Sequence, residues 1–151
     1  MTKHSESRVV PYTADLMFQI VADVEKYPKF LPWVKALQIV SREQSEAREI
    51  LTARMTVGFK SFQESYISRV VLDPSARTID VAQTEGGPFR VLENHWRFTP
   101  EGEACKVDFA IQFEFRNLLL NAVAGAAFGR VMLRTTDAFL ERARKLSKKL
   151  A

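Results

Sequence analysis

Two pairs of residues in this chain have types and spacing suited to proton transfer: Glu64 with Tyr66, and Glu93 with His95. Residues two apart on a strand share a face. Each pair would set a carboxylate beside a proton donor, as a cyclase or dehydratase requires. Little else supports such chemistry. The sequence holds no Ser/His/Asp set and no glycine-rich phosphate loop. Besides carboxylates only His4, His95 and Cys105 could ligate a metal, and they lack zinc spacing. No metal site is expected. By strand parity Glu64 and Asn94 fall on faces that are otherwise apolar, whereas His95 falls on an outer face. A buried polar group needs a partner. These residues bond either the backbone at a bend or a bound molecule.

The framework that must hold these groups is large and apolar. The chain has 151 residues, of which 46% are hydrophobic and 26% charged. That is the size of one domain with one substantial core, and residues 1–151 are read as one. Eleven Phe residues call for a big interior, or for one not entirely filled by protein. The lone Cys105 rules out an internal disulfide and suits a reducing compartment. Residues 1–7 carry no apolar run of the kind a secretory signal needs. The uncharged stretch 117–129 is shorter than the ~20 residues of a spanning helix. A cytoplasmic protein that touches a membrane from outside is expected. The net charge of +4 sits wholly at the end: Arg134, Arg142, Arg144, Lys145, Lys148 and Lys149 face only Asp137 and Glu141. Such a tail attracts anionic lipid or nucleic acid, or complements a helix C-terminus.

Arg8, Val9 and Val10 predict a short strand stopped by Pro11. Thr13 is a good N-cap and Asp15 suits a first turn. Met17, Ile20, Val21 and Val24 then recur at helical spacing, predicting a helix over 14–23. Pro28 and Pro32 limit the next segment to a short turn presenting Tyr27, Phe30, Leu31 and Trp33, which must cap something. Strands are predicted over 35–41 and 48–57, with a polar turn at 42–47 and a bend near Gly58. Phe62, Tyr66, Val70 and Leu72 line one face of the next strand. A short strand over 78–83 and a loop at Gly86 and Gly87 follow. Leu92, Asn94, Trp96 and Phe98 share a face, as do Val107, Phe109, Ile111, Phe113 and Phe115. From Leu118 onward only Gly125 and Gly129 interrupt a helix of about thirty residues, roughly 45 Å long. The fold class is α+β. A curved antiparallel sheet of about seven strands surrounds a long C-terminal helix, with two short helices after the first strand.

Four stretches in this order resemble the coenzyme-Q-binding branch of the START/polyketide-cyclase superfamily, which includes bacterial ribosome-association toxin homologues. They are Tyr27, Pro28, Phe30, Leu31, Pro32 and Trp33; Val57, Gly58, Phe59, Phe62, Glu64 and Tyr66; Gly87, Pro88, Phe89, Leu92, Trp96 and Phe98; and Val107, Phe109, Phe113, Phe115, Leu118 and Leu119. The resemblance spans residues 8–146. One departure is Val34, where the family often has Cys.

The resemblance implies a helix-grip fold with a deep cavity that holds ubiquinone or a similar polyprenyl quinone. The protein would be a non-catalytic carrier or chaperone supporting respiratory electron transport or quinone biosynthesis, at the inner membrane face. The alternative is a toxin-type protein that binds the large ribosomal subunit through its basic helix end. A cyclase-like or dehydratase-like enzyme ranks third. Candidate cavity residues are Phe30, Leu31, Trp33, Phe59, Phe62, Tyr66, Phe89, Leu92, Asn94, Trp96, Phe113, Phe115, Leu119, Phe128 and Met132. Tyr66, Asn94 or His95 would donate to quinone carbonyls. Leu118, Leu119, Leu120 and Val123 would form a membrane-touching gate.

Overall fold

Alternation builds the sheet. In β7 (Ala104–Phe115) every second residue, from Cys105 to Phe115, is buried while its neighbours stay partly exposed. The computed structural model describes the backbone of residues 2–59, 62–123 and 125–150. The side chains at 59, 62, 120, 123, 125, 127, 128, 132 and 148–150 lie outside that description. With them lie the expectations for Phe59, Phe62, Leu120, Val123, Phe128 and Met132.

Six further strands complete one sheet: β1 (Thr2–Val10), β2 (Val34–Ser45), β3 (Arg48–Phe59), β4 (Phe62–Asp73), β5 (Thr78–Glu85) and β6 (Phe89–Glu101). The order is β1-β7-β6-β5-β4-β3-β2, with β2 to β7 joined as a meander and every pair antiparallel. One face is apolar and curves around the helices, as an antiparallel sheet with one wet face should. The helices are α1 (Ala14–Ala22), a 3₁₀ turn over Val24–Lys26, α2 (Tyr27–Phe30), α3 (Leu118–Val123), α4 (Gly125–Leu133) and α5 (Thr135–Leu150). In α1 the Thr13 hydroxyl accepts from the Leu16 amide at 3.1 Å, and Met17, Ile20 and Val21 point inward as their spacing predicts.

Three details depart from the sequence expectations. The C-terminal segment is not one helix, because it breaks between α4 and α5. Between α4 and α5 the Arg134 amide donates to Val131 and the Arg134 carbonyl starts the next helix by accepting from Ala138. A fresh helix therefore begins at Thr135 without any proline. β1 is longer than 8–10, because polar residues continue its pairing with β7 as far as Thr2 opposite Phe113. The irregularity expected at Gly58 lies on the facing strand. β2 shifts register between Val34 and Ala36, and Gly58 makes room for the Lys35 side chain, which a Cβ would meet at 2.9 Å.

The inward side of β1 carries Glu6, which ties the edge strand to α5. The Thr136 hydroxyl donates to Glu6, and Arg8 bonds both Glu6 (3.1 Å) and Asp137 (2.8 Å). Burial alone would raise the Glu6 pKa, but the bonds from Thr136 and Arg8 outweigh it and hold the carboxyl below its ordinary value of 4.5. A depressed carboxylate stabilises the fold above its unfolded pKa, and that stability is lost as pH falls through the folded value. Glu6→Gln should therefore cost about 1 kcal/mol at neutral pH. It should also flatten the stability loss below pH 4.5, measured by urea unfolding at several pH values. An unchanged acid limb would remove Glu6 from this role.

Candidate ligand cavity

Residues at alternate positions on the strands bring one apolar wall together. Ala53, Met55 and Val57 come from β3, Tyr66, Ser68 and Val70 from β4, Val81 from β5, Leu92, Asn94 and Trp96 from β6, and Phe109 and Ile111 from β7. Opposite them stand Val24, Tyr27, Leu31 and Trp33 around α2, and Thr135 and Phe139 from α5. Val34 and Leu37 of β2 complete a cavity of about 100 Å³. That is room for several waters at the ~10–15 Å³ each requires. The proline-braced turn caps the space with Tyr27, Leu31 and Trp33. Phe139 locks the cap to the sheet, its ring 5.3 Å from Tyr27, 5.3 Å from Phe30 and 5.2 Å from Trp96. Such edge-on aromatic contacts stabilise beyond the area they bury.

None of the described residues lining the cavity is charged, and its ionisable groups are the phenols of Tyr27 and Tyr66. Burial pushes both phenols well up from their ordinary value, with Asp23 adding to the effect at Tyr27. Both are neutral hydrogen-bond groups at any physiological pH. The Tyr27 hydroxyl already donates to the Val21 carbonyl. The Ser68 hydroxyl is buried without a hydrogen-bond partner among the described residues. Tyr66 and Asn94 bring a phenol and an amide to the same wall.

The structure gathers Leu31, Trp33, Tyr66, Leu92, Asn94 and Trp96 on the cavity, and it places Phe30, Phe89, Phe113, Phe115 and Leu119 elsewhere. Phe89, Phe113 and Phe115 are packed into one another instead. Phe89 stacks on Phe115 at 4.9 Å, and Phe113 meets Phe115 edge-on at 6.0 Å. Gly87 lies against β4 at a positive φ of 77°, where a Cβ would strike the Tyr66 Cβ at 2.4 Å. Phe30 does not line the cavity; it packs on Phe139 from outside it and lies beneath the Arg142 guanidinium at 5.2 Å. Leu118 and Leu119 are 81% and 68% exposed and do not line the cavity.

Of the two acid–base pairs only Tyr66 lines the cavity; Glu64, Glu93 and His95 do not. His95 is exposed on the outer face, bonded to Asp80 at 2.7 Å, and Glu93 accepts from Gln112 at 2.8 Å. Glu64 lies beside Val57 in the register but does not line the space. Among the described residues no group of three or more His, Cys, Asp or Glu could hold a metal.

Sequence reasoning missed Ser68, although Phe62, Tyr66 and Val70 already mark that face of β4 and Ser68 shares their parity. It also missed Thr135 and Tyr27 as wall residues. Helical and strand patterns give faces but not which residues of a face border a void.

The sequence profile of the family described as polyketide cyclase / dehydrase and lipid transport matches residues 10–140. The chain is 36% identical over 148 residues to the ribosome association toxin RatA of Pseudomonas aeruginosa, covering 97% of this chain and 99% of that one. It is 32% identical to a mitochondrial coenzyme Q-binding protein of Xenopus laevis, covering 95% of this chain and 59% of that longer one. Among solved structures, an 18 kDa protein of Caulobacter crescentus matches with a TM-score of 0.79 at 38% identity, over 98% of this chain and 99% of that one. An aromatase/cyclase of Streptomyces also reaches a TM-score of 0.79, over 95% and 94% of the two chains, at 21% identity, a likeness of fold.

Proposed function

The chain belongs to the polyketide cyclase / dehydrase and lipid transport family, and from that premise we propose that it is a non-catalytic carrier of an isoprenoid quinone such as ubiquinone. The observation that carries the reading is the cavity itself, predominantly apolar, uncharged along its described wall and set between sheet and helices. A polyprenyl tail is wholly apolar and is held by buried area, roughly 0.8 kcal/mol for each CH₂. Among the described wall residues the ionisable groups are two phenols kept neutral by burial. Such groups make a poor general base near pH 7. The relative named for coenzyme Q binding supports the same ligand.

About 100 Å³ is less than a long-tailed lipid occupies, so loading requires the helices to move. A tail cannot leave a bilayer through water without a large hydrophobic penalty. The carrier therefore opens on the membrane, and exposed Leu118 and Leu119 are the residues suited to enter it. No helix among the described residues is long and apolar enough to cross. Leu119→Asp should lower liposome binding and quinone transfer between vesicles at least fivefold. Charge reversal at Lys145, Lys148 and Lys149 should mainly change the salt dependence. Normal transfer by Leu119→Asp, with loss in the lysine variant, would move the contact surface to the basic end.

A second reading has its own support. The relative named as a ribosome association toxin and the basic final helix favour contact with ribosomal RNA. Two of those cations already serve the fold, however: Arg142 lies over Phe30 and Arg144 bonds Glu141 at 3.0 Å. Ribosome co-sedimentation that falls steeply with salt is the result that favours this reading over the carrier.

A further inference from the structure

The cavity wall is not uniformly apolar, and its polar atoms restrict what can occupy it. Ser68 is 3% exposed, lines the cavity, and its hydroxyl has no partner among the described residues. A buried hydroxyl left unpaired is costly, and native interiors seldom keep one without a use. Asn94 lines the same wall from β6. The register relates the two: Val70 of β4 faces Val81 of β5, and Val81 faces Asn94. Ser68 is thus two strands across and two residues along from Asn94, about 12 Å between backbones. Both residues line the same cavity, so a single head with oxygens on opposite edges can bond to both. Lys, Arg and His are absent from the described lining, so nothing there compensates a negative charge. Burying a carboxylate or phosphate without a cation is far more costly than burying a neutral carbonyl.

We infer that the cavity selects neutral lipids whose head carries hydrogen-bond-accepting oxygens, and that Ser68 and Asn94 are the groups that hold that head. Fatty acids and phospholipids are excluded by their charge. This rests on the carrier reading above and adds to it the ligand class and the residues that recognise it.

The test uses the full chain freed of lipid. The probes are a short-tailed benzoquinone, oleate at pH 8 and a neutral apolar dye. Quenching of Trp33 and Trp96, both on the cavity, reads quinone binding directly, and dye fluorescence reads cavity access. The benzoquinone should bind at least tenfold tighter than oleate. Ser68→Ala and Asn94→Leu should each weaken the quinone about fivefold to tenfold, as loss of one hydrogen bond does, while dye binding stays constant. Ser68→Ala should leave the melting temperature of the empty protein unchanged or raise it, because it removes an unpaired buried hydroxyl. A purely structural Ser68 would instead lose stability and leave quinone affinity untouched. His95→Ala, on the outer face, should alter neither readout.

Quinone affinity unchanged in both variants, or oleate binding as tight as quinone, overturns this inference while the carrier reading stands. Failure of quinone and dye alike to bind the unaltered chain overturns both.

Discussion

Replacing Phe139 by alanine should lower the unfolding free energy by about 3–5 kcal/mol, the usual cost of deleting a buried aromatic. The ring is 2% exposed and meets Tyr27, Phe30 and Trp96 at once. It is therefore the place where α5, the cap and the sheet are joined. Its loss also leaves a larger void on the cavity's helix side, which the surrounding structure can only partly close. Urea unfolding of Phe139→Ala against the unaltered chain measures the cost. Leu118→Ala, at an 81% exposed site, should stay within about 0.5 kcal/mol. A cost below about 1 kcal/mol for Phe139→Ala would show that the helix is held by something other than this cluster.

Filling the cavity should abolish binding with a smaller effect on the fold. Ala53 is buried on β3, lines the cavity, and pairs with Ser68 across the sheet. Ala53→Phe sends a phenyl ring into space the ligand needs. Inserting bulk into a filled core costs about 1–3 kcal/mol, and an existing void lowers that cost. Bound quinone should fall at least tenfold in a protein that still melts cooperatively. The same enlargement at Phe113, which packs against Phe115 in the filled core, should cost stability without a comparable loss of ligand. If Ala53→Phe folds and binds normally, the ligand does not occupy this cavity.

The sheet was legible because one of its faces is buried and one is wet. β7 shows this most plainly, and its alternation in sequence is its alternation in space. Legibility failed where the inward positions are polar or where both faces are wet. In β1 the inward side carries His4 and Glu6, so no apolar period announces the strand beyond Arg8. At the far end of β2, residues 42–45 are exposed on both faces and read as part of a turn. They pair with β3 out to Ser45 opposite Arg48. The break at Arg134 has no proline or glycine to signal it, because it arises from where the amides and carbonyls bond.

The site was legible in part for a related reason. Parity correctly put Asn94 on the apolar face and His95 outside it. It could not divide the aromatics into wall and core. Trp96 borders the void, while Phe89, Phe113 and Phe115 fill their space with one another, a matter of packing between strands rather than of pattern along them. Ser68 went unremarked because a serine among larger apolar neighbours gives little signal until its missing partner is seen.

If the cavity holds an isoprenoid quinone, organic extraction of the freshly purified chain followed by mass spectrometry should recover it. A neutral isoprenoid quinone approaching one per chain is expected, with its loss from Ala53→Phe purified in parallel. Extracts without quinone, or with equal amounts from both proteins, would contradict quinone binding in this cavity.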